Sequence, residues 1–420
     1  MTRVTRALPL ALSALALLAF PATAATGNPW LDDRTFINMA HQGGEDEFPS
    51  NTMYAFHSAI DAGADTLELD VNRTADNQFV VMHDWTVDRT TNGSGYTTDM
   101  TVAQVQALDA AYNFIPGRNA VPDQPESEYP FRGVRTGAKP PPDGFMAEDF
   151  RVPTLAAVME EFPDTPINIE IKGQEDDPDE FLRNAELLAN FLSGTDRRDL
   201  IVVSFNQAAV NRFHELAPEI DIAPGVEGLV DYFLDDEPMP NADAVAAIQV
   251  PTKFGDVQVL TPERVVQAHR EGWAVHIWLS GDEENKRVYN DLLDHCIDGI
   301  MPARPTVLED VLDKRDVVRP DGEGTDPCSA AAKRGKLTDD GNARILLRRR
   351  GLEPVTYRGK VQVRNRKGGL LGSEPFRMKK GKEKAKVTVD LDSPVRRVTA
   401  VVRTKGARGE PVRKRLRLRG

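Results

Sequence analysis

Thr66-Leu67-Glu68-Leu69-Asp70-Val71 alternates aliphatic and acidic residues with a period of two. In an extended strand this puts Leu67, Leu69 and Val71 on one face and Glu68 and Asp70 on the other. The run is the second of eight short β-rich segments. The others are Phe36–Ala40, Ile167–Ile171, Leu200–Phe205, Ile220–Ala223, Ala246–Val250, Ala274–Leu279 and Ile297–Met301. Amphipathic stretches such as Thr52–Ala62, Glu180–Leu192, Gln207–Leu216, Pro262–Arg270 and Glu284–Leu293 lie between most of them. Alternation of this kind predicts parallel strands with crossover helices, and eight units predict a closed α/β (β/α)8 TIM barrel, with an open doubly wound sheet as the alternative. If the aliphatic faces pack on the helices, Glu68 and Asp70 face the barrel interior.

The rest of the chain fits around that barrel. A length of 420 residues accommodates a barrel of roughly 250 residues and a smaller second unit. Hydrophobic residues at 40% and charged residues at 28% exclude collagen-like, coiled-coil and wholly disordered classes. Two cysteines exclude a disulfide framework or a four-thiolate zinc site. The net charge of −13 is unevenly divided: residues 331–420 hold 28 Lys+Arg against 8 Asp+Glu, or +20, leaving −33 for the remainder. An acidic body therefore carries a basic end unit.

Arg3 and Arg6 precede the uncharged apolar run Ala7–Phe20, and Ala22-Thr23-Ala24 follows. The pattern predicts a signal peptide over 1–24 and a secreted or cell-surface chain. An uncleaved anchor is disfavoured because the run is shorter than the ~20 residues a spanning helix needs. In an oxidising compartment Cys296 and Cys328 are able to pair, a matter their separation in space decides. The barrel is expected over 30–315, with a Pro- and Gly-rich insert at about 112–151 lying over its mouth as a cap. A linker is expected over 316–340. Alternating Val361 and Val363, then Val387, Val389 and Leu391, then Leu416 and Leu418 predict a small all-β domain, of sandwich type, over 341–420.

Chemistry in a (β/α)8 barrel belongs at the C-terminal strand ends. His41 directly follows the first strand. Glu170 and Lys172 share a face of the third strand, as Glu68 and Asp70 do on the second. Buried side by side, such carboxylates repel and resist desolvation unless a cation compensates. Glu68, Asp70 and Glu170 are thus candidate oxygen ligands for one divalent cation, Ca2+ or Mg2+; zinc is disfavoured because no paired histidine spacing accompanies them. Thr74-Ala75-Asp76-Asn77 predicts a hairpin turn whose return strand, Phe79–His83, brings His83 opposite Leu69 or Asp70. A cation flanked by His41 and His83 suits displacement at phosphorus, one imidazole taking a proton and the other delivering one, with Lys172 offsetting phosphate charge. His57, His214, His269 and His295 read as surface or packing residues. His276 sits mid-strand beside Trp278, whose indole suits either the barrel mouth or the core.

The motifs His41-Gln42-Gly43, Pro49-Ser50-Asn51-Thr52, Gly63-Ala64-Asp65, Glu68-Leu69-Asp70-Val71, Val80-Val81-Met82-His83-Asp84, Asp88-Arg89-Thr90-Thr91 and Gly93-Ser94-Gly95 resemble the glycerophosphodiester phosphodiesterase family. Pro153-Thr154-Leu155, Glu170-Ile171-Lys172, Ser204-Phe205, Trp278 and Asp298-Gly299-Ile300 extend the likeness over roughly 36–310. The resemblance implies a barrel enzyme that splits small glycerophosphodiesters into sn-glycerol 3-phosphate and an alcohol. It implies His41 and His83 as the acid/base pair, Glu68, Asp70 and Glu170 as metal ligands, and Lys172 as a phosphate contact. It also implies a substrate hydroxyl that attacks phosphorus to give a cyclic phosphate, and a cap at 112–151. The family usually carries Arg after the first His and Glu before the Asn-Thr pair. Here those positions are Gln42 and Ser50. Losing both removes an opposite-charge pair without stranding one partner. Gln42 stays a candidate substrate contact, with Glu45, Asp46 or Glu47 as a replacement one. A barrel phospholipase acting on lyso-lipids and a non-catalytic cell-surface binding protein are the competing functions. The +20 unit is suited to an anionic cell-wall polymer or lipid headgroups, or equally to the acidic barrel of its own chain; nucleic acid is not expected, since no recognition motif is present.

Overall fold

A computed structural model of the chain describes residues 27–32, 36–174, 177–279, 284–338, 340–392 and 397–416. The signal-peptide expectation and Leu418 lie outside these residues. Eight parallel strands form the barrel: β1 Ile37–Ala40, β2 Thr66–Arg73, β3 Ile167–Ile171, β4 Leu200–Val203, β5 Asp221–Ile222, β6 Ala247–Pro251, β7 Ala274–Trp278 and β8 Gly299–Met301. The ladder runs β5-β4-β3-β2-β1-β8-β7-β6. It closes through a parallel bridge between Ile222 and Val245, just ahead of β6. A helix follows each strand: α1 Met53–Asp61, α2 Leu155–Glu161, α3 Pro178–Leu192, α4 Gln207–Leu216, α5 Val226–Leu234, α6 Pro262–Glu271, α7 Lys286–Leu293 and α8 Pro305–Arg315. Thr52, Asn206, Thr261 and Asn285 start α1, α4, α6 and α7 by accepting hydrogen bonds from first-turn amides.

The alternation in β2 is realised as read. Leu67, Leu69 and Val71 are fully buried in the layer between sheet and helices, with Ile167, Ile169 and Ile171 of β3 beside them. Fully burying an aliphatic side chain contributes about 1.5–3 kcal/mol. That layer fixes which face of β2 turns inward. Glu68 and Asp70 are consequently buried on the interior side.

Two structural expectations are corrected. The insert meets the rim of the mouth through Gly117, which contacts Asp46 and Arg304, but none of residues 112–151 lines the cavity itself. Phe131, Phe145 and Phe150 instead gather around Tyr54 of α1, with ring centroids 4.7–5.0 Å from it. Aromatic burial thus holds the insert on the flank of the barrel. The stretch expected as a linker contains a strand, β9 Ala330–Leu337, because Ala330, Ala331 and Ala332 are small enough to be buried while the following Lys333 and Arg334 face solvent. Strand β9 joins β10 Ala343–Arg349 and β13 Lys384–Val389 in one sheet. Strands β11 Tyr357–Arg364, β12 Leu370–Met378, β14 Val398–Thr404 and β15 Val412–Leu416 form the other. Val361, Val363, Val387 and Val389 are buried in their shared core.

The β domain is fastened to the N-terminal end of the barrel. Cys296 and Cys328 form a disulfide with Cα atoms 5.6 Å apart. With its ends 32 positions apart in the sequence, that cross-link stabilises the fold by roughly 3–4 kcal/mol through loss of unfolded-chain entropy. Beside it, the buried Asp298 accepts hydrogen bonds from Arg408 of the β domain at 2.7 Å and from the backbone N–H of Val275 at 2.8 Å, and meets His269 Nε2 at 2.7 Å. His269 is therefore part of this interdomain network.

Candidate active site

The mouth is built first by strand register. Asp70 stands beside Glu170, and Glu68 beside Asn168, in the parallel β2–β3 pair. Carboxylate oxygens of Glu68, Asp70 and Glu170 lie within 4.8 Å of one another. Lys172 emerges past the end of β3 and sets its ammonium 2.7 Å from Glu170 and 3.1 Å from Asp70. Burial pushes the Glu68 carboxyl up to about 8, with Asp70 and Glu170 adding to the rise against the opposing pull of His41. Asp70 goes the other way: burial opposes its charge, but Lys172 and the two histidines hold it below the usual carboxylate range.

Chain turns aim the remaining groups. After β1 the backbone enters a left-handed turn with φ of 50° at Gln42 and 78° at Gly43. A Cβ at Gly43 would stand 2.9 Å from the Ala55 Cβ, so glycine is required there. This turn lets the Gln42 N–H donate to Glu68 at 2.7 Å. It also returns Glu45 to His41, with Nδ1 and the carboxylate oxygen 2.6 Å apart. His41 Nε2 lies 3.9 Å from Glu68. Burial opposes a charge on His41, yet Glu45 and Glu68 prevail and raise its pKa well above the ordinary value.

The hairpin pairs Val71 with Val81 and Asn72 with Val80, which puts His83 level with Leu69 as the sequence predicts. Asn72 secures the turn by donating to the carbonyls of Met82 at 2.8 Å and Asp84 at 3.1 Å. His83 Nδ1 meets Asp84 at 2.7 Å, and Arg89 clamps the same carboxylate through Nε at 2.7 Å. Each histidine is thus braced at Nδ1 by a carboxylate, which leaves Nε2 as the nitrogen free to exchange a proton. Asn51, with φ of 56°, donates to Asp70 at 2.9 Å.

The structure brings His41, His83, Glu68, Glu170, Lys172 and Trp278 to one cavity of about 290 Å³. Trp278 packs edge-on to Phe205 at 5.5 Å and walls that cavity, so the first of its two readings holds. Gln42 differs from expectation. It is 3% exposed and absent from the cavity wall, and acts through its backbone because the left-handed turn folds its side chain inward. Asp46 pairs with Arg304 at 3.0 Å and Glu47 accepts from the Thr306 N–H at 3.0 Å; both tie the first loop to α8. Glu45, a candidate substrate contact by sequence, braces His41 instead, and Asp84, Arg89, Asn51 and Asn72 join the site without a sequence expectation. For Asp84 the signal was adjacency to a strand-end histidine.

The donor set fits a hard divalent cation. Three buried carboxylates share one ammonium, which leaves most of their charge without a cationic partner. A barrel mouth with this charge distribution and two braced imidazoles suits an enzyme that works on a phosphate ester.

Comparison with known proteins gives the family. The profile described as the Glycerophosphoryl diester phosphodiesterase family matches residues 41–304, and the chain belongs to that family of phosphoric diester hydrolases. A glycerophosphodiester phosphodiesterase of Caldanaerobacter subterraneus is 30% identical over 282 residues, taking in 66% of this chain and 97% of that protein. One from Bacillus subtilis is 27% identical over 316 residues, covering 74% and 98%. Among solved structures, the glycerophosphoryl diester phosphodiesterase domain of a Mycobacterium tuberculosis protein shares the fold with a TM-score of 0.50 at 18% identity, covering 66% of this chain and 98% of that one. The basic β domain lies beyond the matched residues.

Proposed function

We propose that the chain hydrolyses glycerophosphodiesters to sn-glycerol 3-phosphate and an alcohol, with one divalent cation, Ca2+ or Mg2+, held by Glu68, Asp70 and Glu170. The convergence of that acidic triad, Lys172 and two carboxylate-braced histidines on one barrel mouth carries the reading. When bound, the cation polarises the phosphoryl oxygens and offsets charge that builds at phosphorus. Lys172 holds a second phosphate oxygen by charge. His83 takes the proton of the attacking oxygen, and His41, kept charged by Glu45, donates one to the departing alkoxide. Overall, the P–O bond to the alcohol breaks and water supplies the new P–O bond. The exposed basic strands of the β domain support contact with an anionic wall polymer or lipid headgroup, and the disulfide supports work outside the cytoplasm.

An enzyme-coupled assay for glycerol phosphate, run on glycerophosphocholine, glycerophosphoethanolamine and glycerophosphoglycerol, tests the reaction. Release of glycerol phosphate from at least one supports it; release of a phosphorylated head group instead, or of nothing, refutes it.

Glu45→Gln provides a check on the assignment of the acid. Without that carboxylate the His41 pKa falls, so the alkaline limb of kcat/KM, where the acid loses its proton, moves to lower pH. A shift of one pKa unit lowers the rate above the limb by about tenfold. An unmoved limb assigns the acid elsewhere.

A further inference from the structure

The cavity that holds the reacting groups continues into an apolar groove. Its far wall is one face of α5, where Val226, Leu229, Val230, Phe233 and Leu234 recur at helical spacing. Opposite stands the hairpin Lys253–Phe254 and Val257–Gln258, which follows β6. Phe205, Leu234, Phe254 and Val257 at the groove are 47%, 49%, 49% and 41% exposed. The charged residue at this end, Arg264, is drawn off by the carbonyls of Gln258 and Val259 at 2.9 and 3.2 Å and lies 5.3 Å from the Phe233 ring centre. A small polar head group leaves such a surface wet. Apolar side chains clustered on the open wall of a cleft suit a binding surface.

Resting on the phosphodiesterase reading above, we propose that this site takes phosphodiesters bearing a hydrocarbon chain, with the phosphate at Lys172 and the acidic triad and the chain along α5. Continuity argues for this occupant. One cavity has carboxylates, ammonium and imidazoles at one end and, Arg264 apart, an apolar wall at the other, the polarity of a single-chain amphiphile. The nine residues of α5 span ~13 Å, enough to lie along an extended alkyl chain. The reaction is unchanged: water replaces the alcohol at phosphorus, and the alcohol leaves with a proton.

Two substrate series, kept below their micelle concentrations, test the proposal and locate the chain. In one, glycerol phosphate is esterified to n-alkanols of two to ten carbons, which puts the tail on the leaving alcohol. In the other, 1-acyl-glycerophosphocholines of matching length put it on the glycerol. In the favoured series KM should fall about two- to fourfold per added methylene until the groove is filled. Val230→Asp, and separately the exposed pair Phe254→Ser with Val257→Ser, should cut kcat/KM for the ten-carbon substrate at least tenfold more than for glycerophosphocholine. If glycerophosphocholine is turned over while KM stays flat along both series, the groove proposal fails and the phosphodiesterase reading stands. Equal losses for long and short substrates in both variants also overturn it. If neither series is hydrolysed while glycerophosphocholine is, the groove proposal fails; if none of these substrates nor the small diesters is hydrolysed, the phosphodiesterase reading itself fails.

Discussion

His83→Ala should lower kcat on glycerophosphocholine by about 10²- to 10⁴-fold, the range lost when a positioned acid or base is removed. KM should change little, because in the proposed site Lys172 and a cation held by the acidic triad, not His83, would take the phosphate charge. The imidazole ends a hairpin strand and touches Asp84 rather than the core, so folding should survive. A parallel His83→Asn protein, retaining polarity but no titratable nitrogen, should be equally slow. Asp84→Asn separates the brace from the base: it keeps the proton-accepting ring but loosens its orientation, giving a smaller loss. Wild-type turnover by either His83 variant would remove this residue from the reaction.

Removing the divalent cation with a chelator should reduce turnover to background, and Ca2+ or Mg2+ should restore it. The physical case is charge. With three carboxylates gathered around one ammonium, the apo site cannot ionise fully without cost, and burial keeps Glu68 protonated up to about pH 8. Cation binding should therefore expel a proton from Glu68, and affinity should rise with pH until about 8 and then level off. Proton release in weakly buffered solution measures this directly. The sign for stability follows as well. An unfolded Glu ionises near pH 4.3, so between there and about 8 the unfolded chain holds fewer protons than the folded one, and apo stability falls as pH rises. A cation at one hundred times its dissociation constant adds about 2.7 kcal/mol and should raise the melting temperature. Full activity in excess chelator, with no thermal response to either ion, would dismiss the metal site.

Side chains whose placement follows from strand period or hairpin register were legible before folding. Glu68 and Asp70 face inward because Leu67, Leu69 and Val71 must face the helices, and His83 arrives opposite Leu69 by pairing alone. Contacts made by irregular backbone were not. Glu45 reaches His41 only because Gln42, Gly43 and Gly44 adopt left-handed conformations, and no periodic pattern announces such a turn. The insert went to the flank because Tyr54 collects three distant phenylalanines, a long-range choice that local composition does not encode. The stripe on α5 was written in the sequence, but helical apolar spacing usually denotes core. Only the folded chain shows it facing an open cavity.

The fastening of the β domain has a directional consequence. Arg408 and the disulfide grip the strand-start end of the cylinder, whereas the histidines and carboxylates crown the strand-finish end. Handle and blade therefore point in opposite directions. Were a polyanion to bind the arginine- and lysine-rich handle, the working edge would be presented outward, to whatever drifts past.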